Sequence, residues 1–545
     1  MRPIIIIGLD GAGFNLIELF LRGNNLPNFR KIITGGSFGQ LKTTIPPLSP
    51  CAWSSFMTGK NPGKHGIYDF YYLDDNHNMK LHTSKTRNTK DLWEYLSENN
   101  YKCLVFNVPF TYPPKKINGL MVTDFTTPST KADFTYPPQL KNEILQKYAD
   151  YKISEESKYA ENPRAKREFF NEVFELADIR FKVFINLMRK DRFDFSMIVF
   201  TLIDHVQHWY WKYMDKTHPK HKDDKEFRET ILKAYKKADK FLGEIMQMFP
   251  NHNIIVISDH GGGPYYKDVN INNWLMQQGY LFLKHNQPIH KKITYNIEAN
   301  RLISKGLNIG LWKIINRFPR VKRAIQTKTL LTYKDIDWDR TVAYSYGYYG
   351  PIYINRKIIK TEEKLRELKT DIKKKLIKIK DPHTGKPLIK KVWEKTELYS
   401  GTKLELMPDI VINMGNFAYG ASSTFLFSSR NIFSEPKTFK SGDHTQNGIL
   451  MVYGPDIANG KRVKNAQIYD IAPTILHIFN IPVPNDMDGK VLKEVFKENS
   501  KPARRKITFQ EETKLNYEKR KPDEKHLEKK DEEKIKKRLK ALGYI

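Results

Sequence analysis

The residues of this chain best placed to do chemistry are carboxylates and imidazoles at the ends of apolar runs. Asp10 follows "IIIIGL", Asp204 and His208 lie just past "FSMIVFTLI", and Asp259 and His260 follow "NIIVIS" and precede three glycines. A single Asp after an apolar run reads as a helix cap. Three such clusters, each where a strand runs out, are more than capping accounts for. Asp204 and His208 are four residues apart, so on a helix they share a face. His205 would point away from that face. His444, in "KSGDHTQNGILMVYG", would add an imidazole from a loop before an apolar strand. A Gly-rich loop could turn Asp259 and His260 inward, and its glycines would let substrate approach the backbone. Asp and His donors together suit Zn²⁺, and carboxylate-rich sites also take Mn²⁺ or Mg²⁺.

Ser49, in "TTIPPLSPCAWSSFMTG", has two readings. It could be a helix N-cap with Pro50 as the first helical residue. It could also be a nucleophile at a helix N-terminus, where free N–H groups and a partial positive charge favour a phosphoryl group. The prolines around it would stiffen the loop.

The elements that must hold these residues alternate along the chain. "PIIIIGLD", "KCLVFNVP", "DFSMIVFTLID", "NIIVISDH", "PDIVINMG" and "GILMVYGP" read as buried strands, and segments such as "ETILKAYKKADKFLGEIMQMF" between them read as helices. That alternation predicts an α/β fold: a doubly wound, mainly parallel sheet with helices on both faces. Ligands of such sheets bind beyond the carboxyl ends of the strands. The core is expected over 1–263 and 406–498, interrupted over 264–405 by a basic α+β cap. Within the cap, "VAYSYGYYGPIYINRK" reads as strands with a turn. "SKGLNIGLWKIINRFPRVKRAIQ" reads as a helix that packs on the domain or lies on a membrane surface. Residues 499–545 read as a charged tail, a solvated helix or partly disordered.

Composition bounds the rest. The 545 residues are 40% hydrophobic, enough for a large core and more than one domain. Two cysteines, Cys51 and Cys103, exclude a disulfide framework and a Cys-type zinc site. The N-terminal apolar run is too short for a secretory signal, and no segment reaches transmembrane length, so a cytoplasmic protein is expected. The net charge of +31 points to anionic partners. Paired Cys/His fingers and an aromatic RNA-binding strand are both missing, so nucleic acid is not expected among them. A basic membrane- or nucleic-acid-associated binding protein remains the non-enzyme alternative.

"GLDG", the Ser49 segment ending "TGKNPGKHGI", "DHVQH", "SDHGG" and "GDH" occur in the order found in the alkaline phosphatase superfamily. The chain most resembles its type I phosphodiesterase/nucleotide pyrophosphatase family, over most of residues 1–495. The resemblance implies an alkaline-phosphatase-like fold and two divalent ions, zinc first and manganese second, flanking a Ser or Thr nucleophile. Counting back from "TG-x-x-P-x-x-HG", the nucleophile falls on Ser49. One metal would then sit at Asp10, Ser49, Asp259 and His260, and the other at Asp204, His208 and His444. The implied reaction cleaves phosphodiester or pyrophosphate bonds through a phosphoseryl intermediate, on a phosphate-ester small molecule or a lipid-linked substrate. Peripheral contact with an anionic membrane fits the charge. A phosphomonoesterase or phosphomutase on the same fold is the enzyme alternative. "SPCAW" lacks the Arg that sulfatases place after their Cys or Ser, which argues against sulfatase and makes Cys51 a core residue. "DHVQH" departs from the commoner glycine-containing motif but keeps the Asp204–His208 spacing. His65, in "GKHGI", is expected to play a structural part or to stand behind the ligands.

Overall fold

The computed structural model describes residues 2–74, 79–87, 89–285, 332–382, 384–421, 430–436, 439–511 and 527–544. Contacts group the chain into two compact units, one of residues 1–265, 398–407 and 438–544, the other of 266–397 and 408–437. The helix read from "SKGLNIGLWKIINRFPRVKRAIQ" lies outside the described residues.

The first unit is built on a ten-stranded sheet. At its centre the strand Ile4–Leu9 runs parallel to Phe195–Phe200 on one side and to Asn253–Ile257 on the other. Cys103–Phe106 continues the parallel order between Phe195–Phe200 and Gly119–Val122. Asn447–Tyr453 is antiparallel to both of its neighbours, Asn253–Ile257 and Ser37–Lys42. All six residues of Ile4–Leu9 are buried, as a strand covered on both faces requires. Its alternate side chains enter different cores. Ile5, Ile7 and Leu9 join helices 163–190, 202–214 and 230–248, whereas Ile4 and Ile6 join Trp53, Phe56, Trp93 and Leu476. The two-residue period of the strand thus builds two helical layers on one sheet. The expected mainly parallel, doubly covered sheet is the fold observed.

Register carries the chemical residues to one edge. Leu9 lies beside Phe200 and Gly8 beside Ile257, so Asp10, the segment before Asp204, and Asp259 leave the sheet side by side. Trp53 also reaches this edge. A Cβ on Gly8 would stand 2.7 Å from its ring, and its indole N–H donates to Asp10 Oδ2 at 3.3 Å.

The second unit carries a four-stranded antiparallel sheet ordered Ala343–Ser345, Ile352–Ile354, Ile410–Met414, Ile389–Glu394, with the helix Glu362–Leu376. The strands expected in "VAYSYGYYGPIYINRK" are its first two. "PDIVINMG" corrects the sequence reading: Ile410–Met414 pairs in this small sheet, not in the central one. Its residues are all buried, and an apolar run states that a strand is buried without stating in which sheet.

The charged tail is also corrected. Phe509–Gln510 pairs with Val483–Pro484, and the helix Lys529–Leu542 buries Ile535, Leu539 and Leu542. These apolar residues are spaced four and three apart, one stripe along a helix otherwise rich in Lys and Glu. Among the described residues no helix is long and apolar enough to cross a membrane.

Candidate active site

Ser49 is the first residue of the helix Ser49–Thr58, with Leu48 in the cap position and Pro50 next. The expected N-cap bond from its hydroxyl is therefore not made. Ala52 N–H bonds Leu48 O at 2.8 Å instead, and the fully buried Ser49 Oγ lies 3.2 Å from His260 Nε2. His260 Nε2 is also 3.2 Å from Asp259 Oδ2 and 3.5 Å from Asp10 Oδ1. Ligand atoms of Asp10, Asp259 and His260 lie within 4.8 Å of one another.

A second group adjoins the first. His208 Nε2 stands 3.1 Å from Asp204 Oδ2 and 3.3 Å from His444 Nε2. His444 Nε2 is 3.4 Å from Asp204 Oδ1. Asp204, His260 and His444 also form a triplet within 4.8 Å, and the His260 and His444 rings stack at 3.6 Å. All seven residues singled out in the sequence are at most 2% exposed and meet in this one place.

The hydrogen bonds settle the tautomers. His208 Nδ1 faces Gly442 O at 3.0 Å, His260 Nδ1 faces Gly261 O at 3.1 Å, and His444 Nδ1 faces Pro47 O at 2.7 Å. A carbonyl only accepts, so each Nδ1 carries a proton and each Nε2 is turned toward the carboxylates; against the effect of burial, the hydrogen bond and charge of Asp204 raise the His444 imidazole above its ordinary value. Imidazoles that ligate metals are held in this way. The carboxylates crowd one another. Burial, then Asp259 and Asp204, pushes the Asp10 carboxyl well above the usual range, and burial with Asp204 pushes Asp259 up to about 7. Asp10 Oδ1 and Asp259 Oδ2 have no hydrogen-bond partner among the described residues. Burial holds His260 well below the ordinary imidazole value. The donor set therefore fits divalent cations: imidazole Nε2 atoms turned inward and crowded carboxylate oxygens that positive charge would relieve.

The glycines after His260 act differently from the expected loop. Gly261–Pro264 is a strand paired antiparallel with Gly442–Thr445, Gly262 opposite His444. A Cβ on Gly262 would stand 1.9 Å from Gln207 Oε1, and one on Gly442 would stand 2.2 Å from Gln207 O. The space left at Gly262 and Gly442 is filled by the Asp204–His208 helix rather than kept open for substrate. That close approach brings His208 and His444 together.

The neighbouring histidines behave as the sequence suggested. His205 turns away to Glu155, with Nδ1 2.8 Å from Oε1. His65 Nδ1 accepts Ile67 N–H at 3.1 Å, so its Nε2–H donates to Ser55 Oγ at 2.9 Å, a structural role. Cys51 and Cys103 are buried. Two residues were missed. Asp443 shares a ligand group with His208 and His444, and the "GDH" motif had offered it. Tyr544 donates its O–H to Asp204 Oδ2 at 2.7 Å; its only sequence signal was the apolar stripe ending in "ALGY".

The sequence profile of the type I phosphodiesterase/nucleotide pyrophosphatase family matches residues 4–425. The chain belongs to that family, and so to the alkaline phosphatase superfamily and to the enzymes that hydrolyse phosphodiesters. Among solved structures it overlaps murine ectonucleotide pyrophosphatase/phosphodiesterase 5. The identity is 12% and the TM-score 0.47, over 88% of this chain and 95% of that one. An inactive variant of the same murine protein in complex with AMP overlaps with the same identity and TM-score, over 96% of its chain. No curated protein matches the chain.

Proposed function

We propose that the enzyme cleaves phosphodiester or pyrophosphate bonds with two divalent cations and with Ser49 as nucleophile, passing through a phosphoseryl intermediate. The observation that carries this reading is the clustering of three Nε2 atoms and three carboxylates, with the Ser49 hydroxyl 3.2 Å from His260 Nε2 at its edge. Asp10, Ser49, Asp259 and His260 would hold one ion, and Asp204, His208 and His444 the other. Imidazole and carboxylate donors favour zinc, with manganese second. When bound, such ions supply Lewis acidity to the attacking and leaving oxygens of an in-line displacement.

The chain's own residues do the remainder. As the Oγ–P bond forms, the P–O bond to the leaving group breaks opposite it, the Ser49 proton passes to solvent, and the departing oxygen takes up a proton from solvent. Water then forms a new O–P bond, Oγ leaves phosphorus, and Ser49 regains a proton. The positive end of the helix that starts at Ser49 favours the phosphoryl charge. The carbonyl of Pro47 fixes the His444 ring, so the Pro-rich loop ties nucleophile to ligand. The +31 net charge supports an anionic or lipid-linked phosphate ester as substrate and a peripheral contact with anionic membrane.

The test strips the protein of metal, restores Zn²⁺ or Mn²⁺, and compares a chromogenic diester with the matching monoester. Metal-dependent diester turnover is expected, with the phosphoryl group and its remaining ester trapped on the Ser49 peptide after acid quench. A strong monoester preference would overturn the diesterase reading, and a modified peptide without Ser49 would overturn the nucleophile.

A further inference from the structure

The helix Lys529–Leu542 delivers a phenol to the ligand cluster, and each step of the delivery is anchored. Ile535, Leu539 and Leu542 bury its apolar face. The Arg538 guanidinium, on the same helix, donates to the carbonyls of Phe125, Thr127 and Pro128. The helix ends at Gly543 in the left-handed region, φ 86°. Gly543 N–H bonds Lys540 O at 3.4 Å and Tyr544 N–H bonds Leu539 O at 3.0 Å, the paired bonds of a Schellman cap. Gly543 O accepts from Lys440 Nζ at 3.2 Å, and the same ammonium pairs with Asp443 at 3.1 Å. Helix end and His444 strand are thus joined through one lysine.

The cap turns Tyr544 inward, where it is 2% exposed. Its ring stacks on Phe125 at 5.7 Å, lies 5.1 Å from Phe70, and stands edge-on to His208 at 5.6 Å. The ring has little freedom, so the hydroxyl is fixed 2.7 Å from Asp204 Oδ2. That oxygen also faces His208 Nε2, while Oδ1 faces His444 Nε2. A carboxylate without such a donor can rotate about its last bond and change which oxygens meet a cation. A rigid O–H on one oxygen removes that freedom, as outer partners of metal ligands do.

We propose that Tyr544 is a positioning residue of the active site. Its phenol holds Asp204 in the orientation that meets the cation, so the helix 529–542 is part of the catalytic unit rather than an appendage. The inference rests on Asp204 being a metal ligand.

The experiment uses Tyr544→Phe in the full chain, which removes one oxygen and keeps the ring stack. Metal-stripped wild type and variant are titrated with Co²⁺ against a competing chelator, and the visible Co²⁺ spectrum is recorded. Wild type should take up Co²⁺ stoichiometrically. The variant should bind about 10- to 100-fold more weakly, the range for losing an outer partner, with a changed visible band. Diester kcat should fall more than KM changes. Wild-type affinity together with an unchanged spectrum would overturn the proposal. So would faster turnover and faster metal uptake in the variant, which would make the segment an autoinhibitory plug. Wild type that binds no stoichiometric Co²⁺ would instead sink the two-metal reading and this inference with it.

Discussion

Gly442→Ala and Gly262→Ala place the same methyl group near the same residue, Gln207, yet their costs should differ sharply. At Gly442 the new Cβ would meet Gln207 O at 2.2 Å, Gln207 C at 2.9 Å and Trp211 Cβ at 3.0 Å. The two nearest are backbone atoms of the helix Leu202–Met214 and cannot swing aside. Ordinary contact begins at 3.4 Å, so the strand Gly442–Thr445 must retreat from the helix by about 1 Å, with an overpacking cost of about 1–3 kcal/mol. His208 rides on that helix and His444 on that strand, their Nε2 atoms 3.3 Å apart. Metal–ligand distances hold to within about 0.2 Å, so a shift of this size removes one imidazole from a shared cation. At Gly262 the nearest atoms are Gln207 Oε1, Cδ and Nε2, the end of a side chain. The amide can turn away and lose its 2.8 Å bond to Gly11 O, worth about 1 kcal/mol. Chelator competition should show metal affinity falling at least 10-fold in Gly442→Ala and little in Gly262→Ala. Urea unfolding of the metal-free proteins should rank stability in the same order. Wild-type affinity in Gly442→Ala, or equal losses in both variants, would refute the argument that helix–strand distance sets the site.

Ser49→Ala should abolish diester turnover while metal content by mass spectrometry stays near wild type; His208→Ala and Asp259→Ala should lose metal as well. Retained turnover in Ser49→Ala would remove the nucleophile. Burial pushes the Cys51 and Cys103 thiols up to about 12. At pH 8 only about one in ten thousand of each is thiolate, so alkylation read by intact mass should be absent in the folded protein and complete in guanidinium. Arg87 makes a two-pronged, fully buried pair with Asp91, at 2.6 and 2.8 Å. Asp91 in turn starts the helix Leu92–Glu98. Arg87→Met leaves a buried carboxylate with Lys115 as its one remaining ion-pair partner among the described residues and should cost about 3 kcal/mol in urea unfolding; a cost below about 1 kcal/mol would show that Lys115 suffices.

Local pattern was enough to determine the strands, their burial and the chemistry at their ends. Ile4–Leu9, Phe195–Phe200 and Asn253–Ile257 are nearly all apolar and are buried throughout, as strands between two helical layers are. Chain direction in a parallel sheet then carries Asp10, Asp204 and Asp259 to one edge. The family motifs pointed to Ser49 and His444 in the same way. What local pattern could not determine was distance between segments far apart in sequence. "PDIVINMG" could not announce its sheet, because an apolar run records burial and not partners. "GGG" read as a loop open to substrate; only the packed helix reveals that the missing side chain of Gly262, with that of Gly442, makes room for Gln207 and so brings His208 to His444. Ser49 read as a cap or as a nucleophile; the fold puts Leu48 in the cap position and leaves the Ser49 hydroxyl facing His260. The helix 529–542 read as solvated because its charges outnumber a three-residue stripe, and Tyr544 lies 340 residues from Asp204. Side-chain types and short spacings are properties of the sequence. A hydrogen bond across such a separation exists only once the whole core has closed around both ends of it.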